Sequence, residues 1–440
     1  MKRIIPAIRS MTGICGEQKI QPGPDFRLSR HCLAVPCPEG TLLYHVMTGE
    51  TVLLEHEETE AENREELTRT WFLVPRDFDE RKHADEVRKV VRLTRPLSKE
   101  KTDFSVLTTT DCNARCFYCY EMGIRRFSMP RETARETAEY IARVSGGKPV
   151  KIRWFGGEPL YNQEAISMIC DTLAARGIEY KSSMVSNGYY LDTETVQKAR
   201  DQWHLEKVQI TIDGTEDKYN QIKAYIHAEG NPYQRIMNNI RAALQTGIKV
   251  TIRLNMDADN ATDLLRLVDE IAERFADSPK PNLYVAILQE FAGKIHEHNT
   301  PEDMEQQYYA IRNKAEEYGL LRQKELPHTI QVYSCMADNP ECETILPDGR
   351  TGRCEHYSEA VITGSIRDEK RDQNVVRLWQ ERLDVQECED CVLYPVCVKL
   401  KQCEWNRNGC TEASRRIRIE ELKKQVLAAY RGKNRGGEEH

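Results

Sequence analysis

Three thiols stand close together at Cys112, Cys116 and Cys119, in the run TTTDCNARCFYCYEMG, with the spacing C-x3-C-x2-C. Eight more, Cys335, Cys342, Cys354, Cys388, Cys391, Cys397, Cys403 and Cys410, fill the last quarter of the chain. Eleven of fifteen cysteines are therefore clustered. Disulfide frameworks belong to oxidising compartments, and the start MKRIIPAIRSM has no apolar core long enough for a secretory signal, so thiolate ligation of metal is the default reading. Three thiolates on one loop can hold three irons of a 4Fe-4S cube and leave the fourth iron open, which suits inner-sphere chemistry. Spacing alone leaves room for a zinc site, or for a cluster whose fourth cysteine lies elsewhere. The eight later thiols suffice for two fully ligated clusters or for two four-thiolate zinc sites. Cys15, Cys32, Cys37 and Cys170 are scattered and read as ordinary thiols.

The whole chain sets the bounds for that chemistry. At 440 residues, 40% hydrophobic and 30% charged, it has the composition of a globular protein of two or three domains. Lys plus Arg number 63 against 70 Asp plus Glu, a net charge of −7 that gives no electrostatic footprint for a nucleic-acid partner. No run approaches the roughly 18 apolar residues of a membrane helix, so no membrane partner and a cytoplasmic location are expected.

The elements that must position the thiols fall into three stretches. Residues 1–97 read as a small α+β unit: TLLYHV, a turn at Met47 to Glu50 and TVLLEHEE form a hairpin pattern, followed by helical stretches at 57–69 and 79–92 around the short strand WFLVP. LTRPLSKEK, with Pro96, marks the boundary. Residues 98–320 alternate short apolar runs with helical periodicity, the signature of repeated βα units and a parallel sheet. The strands are FSVLTTT, VKIRWF, KSSMVSN, KVQITID, KVTIRLN and NLYVAILQE, with helices at 131–146, 162–176, 192–202, 232–247, 260–276 and 301–318. Six units are too few for a closed eight-strand barrel, so an open partial barrel or a doubly wound sheet is expected. Either places its chemistry at the carboxyl ends of the strands. Residues 321–440 are irregular and cysteine-rich, with one hairpin signal, TILPDGRTGRCEHYS, and a basic helix at 412–430, so bound metal should supply much of their folding free energy.

CNARCFYC resembles the CxxxCxΦC signature of the radical S-adenosylmethionine superfamily, with Tyr118 as the aromatic residue. Further landmarks of that superfamily follow in order: Gly156, Gly157, Glu158 and Pro159 form a GGEP turn after the second strand, Ser186 to Gly188 end the third and Thr211 to Gly214 end the fourth. The resemblance implies that the GGEP turn binds the amino group of the methionine moiety, with glycines allowing close backbone approach and Glu158 supplying charge. It offers Ser186, Asn187 and Thr211 as hydroxyl or amide contacts near the ribose. It also puts Lys223, where the family often has arginine, against the cosubstrate carboxylate as a point charge without the bidentate fork. The implied chemistry is chelation of the open iron by S-adenosylmethionine, one-electron cleavage to a 5′-deoxyadenosyl radical, and hydrogen abstraction inside a hydrophobic lumen to which Trp154 and Tyr284 contribute as lining or as core. An oxygen-sensitive enzyme follows.

The C-terminal cysteines resemble the SPASM extension of that superfamily: Cys335, Gly349 and Cys354 meet its first spacing, and Cys388, Cys391 and Cys397 its second, which then departs with five residues rather than three before Cys403. By this resemblance Cys335, Cys342, Cys354 and Cys403 hold one auxiliary 4Fe-4S cluster and Cys388, Cys391, Cys397 and Cys410 another, for three clusters in all, with the placing of Cys403 and Cys410 open. Glu355 stands where sulfatase-maturating relatives carry a basic aspartate, which makes it a candidate general base or a solvated hairpin acid.

The resemblance therefore implies a partial (β/α)6 radical barrel, flanked by an N-terminal leader-recognition-like domain and a C-terminal SPASM domain. The leading expectation is a maturase that oxidatively crosslinks a ribosomal precursor peptide, through a thioether or carbon–carbon bond. The peptide's leader would add to a sheet edge offered by the LLYHVMTGE hairpin, and a flavodoxin or ferredoxin would donate electrons. The alternatives are formylglycine formation in a sulfatase and a non-catalytic metal-binding scaffold.

Overall fold

The computed structural model describes residues 2–5, 25–55, 63–94, 100–288, 300–322, 326, 333, 335–356, 361–368, 370–381, 386–388, 390–403 and 409–435. Cys15, Pro96, the end of the expected first hairpin beyond Glu55 and the end of NLYVAILQE beyond Leu288 lie outside them. The chain divides into two compact units: residues 1–97, 323–334 and 382–440, and residues 98–322 and 335–381. The cysteine-rich stretch is thus shared, with Cys335, Cys342 and Cys354 in the second unit and the five later cysteines in the first.

In the first unit, strands β1 (Lys2–Ile5), β3 (Cys32–Cys37), β4 (Gly40–His45) and β5 (Thr51–Glu55) form an antiparallel sheet in the order β1-β5-β4-β3. Strand β2 (Phe26–Leu28) pairs with β6 (Leu73–Pro75), and helices α1 (Arg64–Arg69) and α2 (Glu80–Thr94) follow β5 and β6. The expected hairpin is β4–β5, closed by a hydrogen bond from the His45 amide to the Glu50 carbonyl of 2.9 Å. Alternation sends Leu42 and Tyr44 to one face and Leu43 to the other. The first face packs on Leu422, Val426 and Tyr430 of the basic C-terminal helix Glu412–Arg435. The expectation of a free edge on this hairpin is corrected, because β4 and β5 each have neighbours on both sides. The outer strands are β1 and β3.

The second unit is built on a nine-stranded sheet. Six parallel strands, β7 (Asp103–Thr109), β8 (Val150–Gly156), β9 (Tyr180–Ser186), β10 (Leu205–Thr211), β11 (Lys249–Met256) and β12 (Asn282–Ile287), lie in consecutive order. They are connected through α3 (Arg131–Val144), α4 (Gln163–Ala175), α5 (Thr193–Asp201), α6 (Glu216–Lys223), α7 (Pro232–Gln245) and α8 (Ala261–Arg274), with α9 (Pro301–Glu317) after the last. This is the α/β radical-barrel architecture implied above. Beyond β7 the sheet continues into β13 (Cys342–Ile345), parallel to β7, then antiparallel β14 (Arg350–Gly352) and β15 (Ile362–Ser365), with helix α10 (Gln373–Glu381) behind them. The hairpin read from TILPDGRTGRC is therefore an extension of the main sheet. The helix Glu412–Arg435, α11, completes the first unit.

Strand parity decides what each face offers. Ile152 and Trp154 share one face of β8, fully buried, while Lys151, Arg153 and Phe155 share the other. Trp154 is accordingly core, not lining. The expected hydrophobic lumen is only partly present. Leu107, Phe155 and Leu346, with Val185 and Tyr120 against them, make an apolar collar near the carboxyl ends of the strands. The same face of the strands also carries the polar Arg153, Gln209, Arg253 and Tyr284, with Gln209 in register with Val185 and the Tyr284 hydroxyl donating to Gln209 at 3.3 Å.

Candidate functional site

The carboxyl ends of β7 to β11 carry loops stitched into one crown. After β7 the chain enters the cysteine loop, and the Asp111 side chain accepts from the Cys112 amide at 2.8 Å. After β8 the Gly157 amide donates to the Thr109 carbonyl (3.0 Å) and the Glu158 amide to the Asp111 carbonyl (2.9 Å). This approach demands glycines: a Cβ on Gly156 would lie 2.2 Å from the Thr109 carbonyl oxygen, and one on Gly157 would lie 2.3 Å from that of Asp111. Gly156 also has φ of +116°, a conformation L side chains rarely adopt.

Glu158 is fully buried, and its carboxylate is spent inside the protein. It accepts from the Leu160 amide (3.0 Å), the Ser186 hydroxyl (2.8 Å) and the Asn187 amide (2.7 Å), which ties the end of β8 to the end of β9. Burial pushes its carboxyl up to about 7, although those donors favour the charged form. The carboxylate that the resemblance assigns to a ligand ammonium is held here by these internal donors. Ser186 is committed to the same carboxylate, and Asn187 donates to the Asn113 side chain at 2.7 Å. Pro159 opens a short 3-10 turn after Glu158, and Thr211 is half-buried at the end of β10, beside Arg253 in register.

Lys223, at the end of α6, is buried and points inward. Its Nζ lies 2.9 Å from Asp213 Oδ2 and donates to the Tyr118 hydroxyl at 2.9 Å, while that hydroxyl donates to Asp213 at 2.6 Å. Burial opposes the charge, yet the adjacent carboxylate of Asp213 holds the ammonium well above the ordinary lysine value. The Lys223 carbonyl also accepts from the Arg115 amide at 2.8 Å. Lys223, Asp213 and Tyr118 thus form a triad under the cysteine loop. Asp213 was missed as a site residue, although TIDG places an acid just before a glycine at a strand end, and α6 was missed because eight mostly polar residues give no apolar stripe.

The three thiols of the loop act on one another. Burial raises Cys112 to about 12, with the charges of Glu158, Cys116 and Cys119 adding to it, and burial raises Cys119 to about 11. Such thiols deprotonate only when a cation compensates, so ligation and proton release are coupled. The Cys112 sulfur already receives the Ala114 amide at 3.3 Å. Among the described residues, no three His, Cys, Asp or Glu side chains converge as a single ion requires. An iron–sulfur cube binds each thiolate at a separate corner, which three thiols on one loop suit.

The later cysteines fall into two groups. In the second unit Cys342 is buried on β13, the Ala337 amide donates to Cys335 Sγ (3.3 Å) and the His356 amide to Cys354 Sγ (3.4 Å). Buried Arg353 donates to the carbonyls of Ala337 (2.9 Å), Cys342 (3.2 Å) and Asn339 (2.7 Å). In the first unit Cys391 is raised by burial and by the charges of Cys397 and Cys410, while Cys388 and Cys410 share an apolar cluster with Tyr394. Arg418 of α11 donates to Cys397 Sγ at 3.2 Å. Cys403 is half-buried, its amide bonded to the Leu400 carbonyl. Glu355 turns onto the strand face, where it accepts from the Ser105 hydroxyl (3.1 Å) and Arg153 (3.0 Å). It is not a solvated hairpin acid.

Residues 106–271 match the model of the radical SAM superfamily. Among curated proteins, the GTP 3′,8-cyclase of Moorella thermoacetica is 29% identical over 173 residues, 38% of this chain and 51% of the relative. A probable GTP 3′,8-cyclase of Methanosarcina mazei is 25% identical over 285 residues, 62% of this chain and 77% of the relative. The chain spans about half the length of the first of these relatives. Among solved structures, Streptococcus suis SuiB bound to precursor peptide SuiA superposes with TM-score 0.53 at 13% identity, covering 88% of this chain and 98% of that one. Native anSMEcpe with bound AdoMet and the Cp18Cys peptide superposes with TM-score 0.51 at 14% identity, covering 76% and 98%. At these identities the likeness is one of fold. No described helix is long and apolar enough to cross a membrane.

Proposed function

Because residues 106–271 carry a radical S-adenosylmethionine domain, we propose that this chain is an S-adenosylmethionine-dependent maturase that oxidatively crosslinks a ribosomal precursor peptide. The observation that carries the reading is the crown itself: three mutually interacting thiols on the loop after the first strand, against a glycine turn that only glycines can make. When bound to Cys112, Cys116 and Cys119, a 4Fe-4S cluster with one open iron supplies the electron that cleaves S-adenosylmethionine to its 5′-deoxyadenosyl radical. The chain's own residues organise that event. The backbone of Gly156, Gly157 and Pro159 receives the amino group of the cosubstrate, and Thr211 faces its ribose. Glu158, Ser186 and Asn187 fix the turn from behind, and Tyr118, Asp213 and Lys223 brace the loop from below. The apolar collar of Leu107, Phe155 and Val185 shields a carbon radical from water.

Cys335, Cys342 and Cys354 would hold one auxiliary 4Fe-4S cluster, and Cys388, Cys391, Cys397 and Cys410 another, and such clusters would supply a sink for the second electron. The mutual influence of Cys391, Cys397 and Cys410 supports the second set. The peptide's leader adds as a strand to the outer edge of β3, and Glu355 takes a proton from the thiol or amide that closes the ring. A flavodoxin or ferredoxin supplies electrons. The solved peptide complex of SuiB supports a peptide partner.

The placement of Glu355 on the strand face favours a second reading, formylglycine formation in a sulfatase peptide. The test is anaerobic reconstitution with S-adenosylmethionine, a strong reductant and the short peptide encoded beside the gene. Crosslinking predicts a loss of two hydrogens from the peptide, with a cysteine protected from alkylation for a thioether. Unchanged peptide mass beside conversion of a sulfatase peptide, or of GTP, would replace the reading.

A further inference from the structure

In the second unit Arg353 is a buried cation that, among the described residues, has no carboxylate at ion-pair distance. Arg353 is 4% exposed, and its three guanidinium nitrogens donate only to backbone carbonyls, those of Ala337, Asn339 and Cys342. The acids whose fields reach it are otherwise engaged: Glu343 accepts from Tyr140 and pairs with Lys101 at 3.1 Å, and Asp338 accepts from the Cys335 amide at 3.0 Å. Among the described residues no carboxylate forms an ion pair with Arg353. A buried cation paired with nothing is costly, so an anion is expected beside it in the working protein. The position of those carbonyls identifies the anion. They span the loop from Cys335 to Cys342, and Arg353 itself precedes Cys354, so one side chain touches all three cysteine segments.

We propose that Arg353 is a positioning residue for the first auxiliary cluster: it fixes the three cysteine segments and supplies the positive charge that offsets the thiolate-ligated cluster, raising its reduction potential. This rests on the reading that Cys335, Cys342 and Cys354 hold such a cluster. Thiolates carry net negative charge to the site, and hydrogen bonds and nearby charge are established levers on iron–sulfur potentials. The amides of Ala337 and His356, each donating to a cysteine sulfur, act in the same direction.

The test uses the full chain in a Cys112→Ala/Cys116→Ala/Cys119→Ala background, reconstituted anaerobically, so that only auxiliary clusters remain. Iron content and midpoint potentials are read by redox titration with electron paramagnetic resonance. With Arg353→Gln, the midpoint that disappears in Cys335→Ala/Cys342→Ala should fall, giving about a tenfold lower ratio of reduced to oxidised cluster at fixed potential, or about 59 mV for one electron. The other midpoint should stay, and Arg353→Lys should recover most of the shift. Full iron with both midpoints unmoved in Arg353→Gln would overturn the proposal. If Arg353→Gln loses the cluster, recovery of iron and midpoint by Arg353→Lys sustains the charge role, whereas loss in both variants leaves only a fold brace and overturns it. Unchanged iron in Cys335→Ala/Cys342→Ala would instead show that the underlying cluster assignment fails, and the proposal with it.

Discussion

Lys223 and Asp213 form a buried ion pair at 2.9 Å, with side chains only 4% and 1% exposed, directly beneath the loop of Cys112 to Cys119. Tyr118, the aromatic residue of the cysteine motif, closes the triad with its hydroxyl. The loop is therefore held by an internal charge network reaching from strand β10 and helix α6, not only by its own backbone.

Breaking this pair from one side should be severe. Lys223→Met or Asp213→Asn leaves a buried charge uncompensated and should destabilise the metal-free chain by about 3–5 kcal/mol. The double variant Lys223→Met/Asp213→Leu should recover a good part of that loss. Anaerobic denaturant titrations check this; single variants within about 0.5 kcal/mol of the parent would remove the triad from the account.

Gly157→Ala should disable the first centre without touching a cysteine. Its Cβ would stand 2.3 Å from the Asp111 carbonyl, so the turn and the cysteine loop must separate. We expect loss of the four irons assigned to this centre and of S-adenosylmethionine binding, with the remaining iron kept. Iron analysis and equilibrium dialysis check this, and wild-type values in both would contradict it.

Stability should depend on pH through Glu158. Its carboxyl sits at about 7 in the fold against an ordinary 4.5, so the native chain keeps a proton that the unfolded chain releases. This contribution is full below about pH 4.5 and is lost as pH rises toward 7, on the order of 3 kcal/mol in all. Glu121, which burial also raises to about 7, acts in the same direction. Glu158→Gln should therefore flatten, but not abolish, the fall in stability of the metal-free chain between pH 5 and 7 (a window taken from these two shifts). Equal slopes in variant and parent would refute the assignment.

Glu355→Gln separates base chemistry from radical generation. If Glu355 takes the proton at ring closure, product formation should fall about 10²–10⁴-fold while deoxyadenosine release persists. Chromatography of both products decides this, and parallel losses would point to a positioning role through Arg153.

The six central strands were legible because parallel strands covered by helices read as short apolar runs, and the crown because its motifs sit where those runs end. What stayed hidden depends on distant partners. CETI gives no local sign that it pairs with DFSV across more than two hundred residues, so the cysteine-rich stretch read as a separate block. The pairing of Lys223 with Asp213 stayed hidden because ten residues and a helix separate them in the chain. Trp154 stayed between lining and core because parity cannot be read without knowing which face the helices cover, and it is Phe155 that joins the apolar collar. The edge strand β3 went unread because CLAVPC carries Pro36, a residue that suits only an edge.

The central claim is that a radical made at this crown takes a hydrogen from a peptide. The most direct measurement supplies the adjacent-gene precursor peptide with deuterium at its side-chain and Cα positions, and follows label in 5′-deoxyadenosine together with peptide mass. The account predicts deuterium in deoxyadenosine and a peptide lighter by the two hydrogens of one crosslink. Deoxyadenosine without deuterium, beside a peptide of unchanged mass, would contradict it.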